Sequence, residues 1–305
     1  MAIAQKRLEQ LDIPSLLAHI GDTPLIPLKS PNARAQIFGK AEWFNPGGSV
    51  KDRAAKFIFE RAIASGQLTR EKILLDATSG NTGIAYAMIG AALGYRVALV
   101  MPANVSVERK KIARAYGAEL IESDPLEGSD GAIVRARELA RDAQKYFYAD
   151  QYNNSANVHA HYTTTAPEIW EQTRGMITHF VAGVGTSGTM MGAGARLKEF
   201  NPAIQLIEVQ PADELQIIEG LKHMESAIVP GIYDAQLADK QIAIETDAAY
   251  REAHRVAREE GLFVGLSAGA AIAAARQIAQ EIETGIIIAI LPDSGDRYLS
   301  TALWM

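Results

Sequence analysis

Residues able to do chemistry gather where glycine-rich turns lead into helices, and the first such place holds a lysine. In Asn45-Pro46-Gly47-Gly48-Ser49-Val50-Lys51-Asp52-Arg53, Pro46, Gly47 and Gly48 read as a turn. Ser49 reads as an N-cap and Asp52 as the acidic partner of a capping box. Lys51 then falls in the first helical turn, where a cation meets the unfavourable end of the helix dipole. The site therefore favours the neutral amine, the form that attacks a carbonyl and holds an aldehyde as an imine. From this stretch alone, a capped surface helix that carries a lysine is an equal reading.

Three loops add further groups. Asp76-Ala77-Thr78-Ser79-Gly80-Asn81-Thr82-Gly83 follows an apolar run and opens an apolar helix. It offers hydroxyls, an amide and free backbone N–H groups to an anion such as a carboxylate, and equally fits an ordinary capped helix. Gly183-Val184-Gly185-Thr186-Ser187-Gly188-Thr189 satisfies G-x-G-x-x-G, and Glu208 lies twenty residues past Gly188, which completes a dinucleotide fingerprint. The physics of that loop is phosphate at a helix N-terminus, and the hydroxyls of Thr186, Ser187 and Thr189 suit a phosphate monoester as well. A Walker A loop is excluded, since no Gly-Lys-Ser/Thr follows. Gly265-Leu266-Ser267-Ala268-Gly269 matches a nucleophile elbow, but that hydrolase arrangement needs a histidine after the serine and the last histidine is His254. Ser267 is better read as a hydroxyl at a helix start, bonded to something above a sheet edge.

The elements that must position these loops alternate throughout, apolar β-prone runs with amphipathic helical patterns, which predicts an α/β fold with largely parallel sheets. Strands are expected over 36–40, 73–77, 96–101, 119–122, 179–183, 205–210, 241–245 and 286–291. Helices are expected over 51–65, 82–93, 105–116, 128–144, 167–172, 189–200, 247–259 and 268–281. The polar interval 148–165 reads as a junction with functional loops. The expected division is an N-terminal domain, 1–145, containing a mobile substrate-binding unit from about 42 to 145, and a C-terminal phosphate-binding domain, 146–305.

The 305 residues, 48% hydrophobic and 22% charged, have ample core, and the absence of cysteine excludes disulfides, thiolate metal sites and cysteine nucleophiles. A formal charge of -6 gives no basic field for nucleic acid. No apolar run is long enough to span a membrane and no signal-peptide pattern opens the chain, so a cytoplasmic protein is expected. His159 and His161 are the nearest histidine pair and, without acids beside them, a weak metal signal, so no metal is expected.

Taken together, Pro46 to Arg53, Thr78 to Gly83, Gly185 to Thr189 and Gly265 to Gly269 resemble, in order and spacing, the cysteine synthase family of pyridoxal-phosphate enzymes of fold type II. The resemblance runs from Ile20-Gly21-Asp22-Thr23-Pro24-Leu25 to Asp296-Arg297-Tyr298-Leu299-Ser300-Thr301. Asp150-Gln151-Tyr152, His161 to Thr165, Pro167 to Trp170 and Ile177 to Phe180 are similar to the B-type branch. It implies two open, twisted, mostly parallel sheets wrapped by helices, with pyridoxal 5′-phosphate in the cleft between domains, and a homodimer.

It also implies roles. Lys51 would hold the cofactor as an imine and then act as the base at Cα. Gly185, Thr186, Ser187, Gly188 and Thr189 would bind the cofactor phosphate and Asn81 the ring 3′ oxygen. Ser267 would face the pyridine nitrogen; a hydroxyl there does not keep that nitrogen protonated, which suits β-elimination. Thr78, Ser79, Thr82 and Gln151 would grip the substrate carboxylate, and closure over it would exclude water. The implied reaction is β-replacement through an α-aminoacrylate: O-acetyl-L-serine loses acetate and sulfide adds to give L-cysteine. Lys222 stands in a region where a phosphoserine-using branch carries arginine, so O-phospho-L-serine, with sulfide or a sulfur-carrier protein as donor, is an alternative. An NAD-dependent oxidoreductase built on Gly183 to Gly188 with Glu208 is a rival of a different class, and a retired enzyme acting as a binding protein is a third.

Overall fold

The apolar runs assemble into two sheets in a computed structural model that describes residues 15–78 and 80–304. The six-stranded sheet has the order β1-β2-β10-β7-β8-β9, and the four-stranded sheet β5-β4-β3-β6. The strands are β1 Leu25–Leu28, β2 Ala35–Ala41, β3 Ile73–Ala77, β4 Arg96–Pro102, β5 Glu119–Ser123, β6 Tyr146–Tyr148, β7 His179–Gly183, β8 Gln205–Pro211, β9 Lys240–Ile244 and β10 Gly285–Leu291. β1 runs antiparallel to β2, and the other pairings are parallel.

Helices wrap both sheets: α1 Lys51–Ala64, α2 Asn81–Leu93, α3 Val107–Ala115, α4 Gly128–Leu139, α5 Ser155–Ala160, α6 Ala166–Gln172, α7 Ala195–Phe200, α8 Thr246–Glu260 and α9 Leu266–Glu281. A π-helical turn, His161–Thr165, joins α5 to α6, and another, Met190–Gly194, leads into α7.

β10, Gly-Ile-Ile-Ile-Ala-Ile-Leu, shows why the large sheet is buried on both faces. Ile287, Ala289 and Leu291 pack beneath the alanine-rich α9, while Ile288 and Ile290 meet Phe180, Leu206 and the helix preceded by Met190. Burial of each such aliphatic side chain contributes roughly 1.5–3 kcal/mol, and a continuous apolar strand is what a doubly covered parallel sheet requires.

The eight expected strands form. β1 and β6 were not expected: Pro27 interrupts the first, which is tolerated at a sheet edge, and the second has only three residues, also at an edge. The interval 148–165 is not a loop throughout. It becomes helical at Ser155, and its buried face carries Asn157, His161 and Thr165 beside Ala156 and Ala160, so it lacks the apolar periodicity of an ordinary helix.

The sheets do not divide the chain at residue 145. β1 and β2 belong to the large sheet, the chain leaves it to build β3 to β6, and it returns at β7. The loops that follow β3, β7 and β10 all leave the carboxyl ends of parallel strands, where open α/β sheets bind ligands.

Candidate active site

Lys51, Thr78, Asn81, Thr82, Gln151, Gly185, Thr186, Ser187, Gly188, Thr189, Lys222 and Ser267 line one cleft of about 620 Å³. Ser79 lies outside the described residues. Six segments far apart in sequence thus converge, and Lys51 sits on the cleft wall at the first position of α1.

Burial holds the Lys51 ammonium below the ordinary lysine range, while the carboxylates of Asp293 and Glu42 pull the other way. Desolvation thus disfavours the charged amine. The turn before it differs from a capping box. Val50, with helical dihedrals, precedes the helix, and the Ser49 hydroxyl accepts from the Lys51 N–H at 3.3 Å. Asp52 turns back to accept from the Gly47 N–H at 2.5 Å. Gly48 at φ +77 permits that reversal and leaves no room for a Cβ against Arg297. Burial pushes the Asp52 carboxyl up to about 7, against the pull of the Gly47 N–H and of Arg297.

Behind α1, Arg53 is buried with Glu42 and Glu168. Its Nε donates to Glu42 at 2.7 Å and its Nη1 to Glu168 at 2.6 Å. Burial alone would raise Glu42, but Arg53 outweighs it and holds the carboxyl at about 2. Lys40 meets Glu168 at 2.7 Å. This network anchors the first turn of the helix that presents Lys51.

The loop after β3 is braced from within. Thr78 Oγ1 accepts from the N–H groups of Gly80 and Gly83, each at 3.1 Å. Thr82 donates to Gln151 Oε1 at 2.7 Å, and Gln151 Nε2 donates to the Ala77 carbonyl at 2.6 Å. Asp76 accepts from the Gln151 N–H at 3.2 Å, and burial pushes its carboxyl up to about 8.

The loop after β7 has the makings of an anion site. Ser187 is 3% exposed, adopts φ +68, and its Oγ has no hydrogen-bond partner among the described residues. Thr186 Oγ1 accepts from Asn157 Nδ2 at 2.9 Å, and Thr189 Oγ1 lies 3.3 Å from His161 Nε2. Burial, and then Arg53, hold His161 down at about 3, so the imidazole is neutral. A Cβ at Gly185 would run into the Gly220 carbonyl oxygen, which fixes glycine there. The unsatisfied Ser187 hydroxyl, with N–H groups at a helix start, fits the phosphate of pyridoxal phosphate, and a lysine whose ammonium is disfavoured by burial fits its aldehyde.

The dinucleotide reading fails at its acidic residue. Glu208 is buried and accepts from Tyr233 OH at 2.8 Å and from Gln210, so it does not reach the cleft to hold a ribose. His254 packs on Trp304 and faces the Leu303 carbonyl. Lys222 Nζ is paired with Asp130 at 2.5 Å and lies over the Tyr152 ring, so its charge is already committed.

Sequence reading missed Asp293, Arg297 and Asn157, which hold the site together by contacts to distant segments. Asp293 carried the one usable signal, an acid just past the end of a buried parallel strand.

The family described as pyridoxal-phosphate dependent enzyme matches residues 16–293. A cysteine synthase of Aquifex aeolicus is 53% identical over 95% of this chain and 92% of its own length. Cysteine synthase B of Pseudomonas aeruginosa is 43% identical over 95% of this chain and 97% of its own. Among solved structures, a cysteine synthase of Entamoeba histolytica superposes with a TM-score of 0.90 at 38% identity, covering 97% of this chain and 92% of that one. The chain belongs to the cysteine synthase family of pyridoxal-phosphate-dependent enzymes.

Proposed function

We propose that this enzyme makes L-cysteine from O-acetyl-L-serine and sulfide by β-replacement. The observation that carries the reading is the convergence on one cleft of a desolvated lysine, an anion cradle with an unsatisfied hydroxyl, and the Thr78–Gln151 cluster. Bound pyridoxal phosphate supplies an aldehyde for the lysine amine and a ring that draws electrons from the substrate Cα.

Lys51, its ammonium disfavoured by burial, takes the proton from that Cα. Ser187, Thr186 and Thr189, with the N–H groups of 185–188, hold the phosphate. Asn81 donates to the ring oxygen, and Ser267, in the first turn of α9, faces the pyridine nitrogen. Thr78, Ser79, Thr82 and Gln151 bind the substrate carboxylate, and a unit of about 42–145 closes on it to exclude water. The enzyme acts as a homodimer in the cytoplasm; among the described residues no helix is long and apolar enough to cross a membrane.

Pairing of Lys222 with Asp130 favours acetylserine over phosphoserine, because the cation that would meet a second phosphate is already neutralised. Turnover of the two serine esters, in wild type and Lys222→Ala, tests this. Acetylserine is expected to be the faster substrate in both; a large phosphoserine advantage that disappears in the variant would overturn the substrate assignment.

A further inference from the structure

Asn81 is held on both sides. Its Nδ2 donates to Asp293 Oδ2 at 2.7 Å, and its Oδ1 accepts from Arg297 Nη1. A carboxylate only accepts and a guanidinium only donates, so just one of the two orientations of the amide satisfies both neighbours. An amide nitrogen carries two hydrogens, and Asp293 uses one. The second belongs to a side chain on the cleft wall.

The two clamping residues are themselves tied to the other loops of the site. Asp293 forms a β-bridge with Ser49, its carbonyl accepts from the Gly265 N–H at 3.1 Å, and its Oδ2 accepts from Tyr298 OH at 2.7 Å. Arg297 Nη2 donates to the Gly47 carbonyl in the turn before Lys51. Asp293 thus touches the segments bearing Lys51, Asn81 and Ser267, and Arg297 touches two of them.

We propose that Asp293 and Arg297 are positioning residues that fix the Asn81 amide with its free N–H toward the cofactor ring oxygen and set it in register with Lys51. This rests on the reading of Asn81 as a ring contact. Neither residue touches the reacting atoms; each acts on the ring through Asn81, and the Asp293 carboxylate acts also on the Lys51 ammonium.

The test uses Asp293→Asn and Arg297→Gln, singly and together, with Arg297→Lys and Asn81→Ala for reference. The double variant removes one charge of each sign and gives Asn81 two neighbours that each donate and accept, so the amide is free to turn over. The readouts are the absorption spectrum of bound pyridoxal phosphate, its dissociation constant on stripped protein, and the unfolding midpoint of that stripped protein.

The double variant is expected to bind the cofactor roughly tenfold more weakly, the single variants roughly threefold, and Arg297→Lys close to wild type. The spectra should shift in the direction given by Asn81→Ala, and adding Asn81→Ala to the double variant should change nothing further. Wild-type spectrum and affinity in both single variants overturn the proposal if the double variant does not fold. In a folded double variant, a wild-type spectrum, or effects that add in full to those of Asn81→Ala, overturns it. An unmoved spectrum in Asn81→Ala itself overturns the ring contact, and the proposal with it.

Discussion

Lys51 is set between desolvation, which disfavours its ammonium, and the carboxylates of Asp293 and Glu42, which favour it. On the roles proposed for it, replacing Lys51 with alanine takes away both the attachment point and the base. Lys51→Ala is expected to lower kcat by roughly 10³-fold or more while the unfolding midpoint holds, a pair of results that steady-state kinetics and thermal melting separate. Asp52 gives a stability prediction. Its carboxyl titrates at about 7 in the fold, against about 3.9 in an unfolded chain, so between those values the folded state binds more protons than the unfolded one. Stability is lost as pH rises through that window, by roughly 2–4 kcal/mol, and the loss is complete above it. Asp76, at about 8, acts in the same direction. Urea unfolding from pH 4 to 8 should show the decline, and Asp52→Asn should flatten part of it; an unchanged slope would contradict the assignment.

At the scale of elements, the parallel strands were legible because a strand covered on both faces must be apolar where it is covered, as β10 is for its whole length and β7 is over Phe180, Val181 and Ala182. The loops were legible too, since glycines and hydroxyls at strand-to-helix junctions have few other uses. The helix at 155–165 was hidden because it buries Asn157 and His161, whose partners Thr186 and Thr189 lie in another segment. Asp293 and Arg297 were hidden for the same reason: their work is visible only after folding brings Asn81 and Gly47 to them. The Ser49 box failed because a Gly47 N–H, brought near by the turn, took Asp52 instead. The cradle carries its own prediction. Gly185→Ala places a Cβ against the Gly220 carbonyl oxygen, a backbone atom that cannot swing aside, so cofactor affinity should fall by more than roughly tenfold with the far-ultraviolet circular dichroism unchanged. Near-wild-type affinity would mean the loop does not hold the phosphate.

Across the whole molecule, the helices of the four-stranded sheet are bound to the large sheet by polar contacts over the cleft. Arg109 in α3 pairs with Glu219, Asp130 in α4 pairs with Lys222 and accepts from the Ile228 N–H at 2.8 Å, and Ser300 donates to Glu108 at 2.7 Å. Arg109 and Lys222 are buried against partly exposed carboxylates and the Ser300–Glu108 contact is exposed, so these contacts lie at the cleft rim, where closing and reopening would make and break them. Asp130→Asn should therefore raise KM for the amino-acid substrate by roughly three- to fivefold, and added salt should raise the wild-type KM and leave the variant less affected. The proposed closure, cradle and clamp would all serve one side chain, so the account stands on which lysine carries the cofactor. Borohydride reduction of the loaded enzyme followed by peptide mass mapping reads that directly. The added cofactor mass is predicted on the peptide containing Lys51; finding it on Lys222, Lys40 or any other lysine, or on none, would contradict the account.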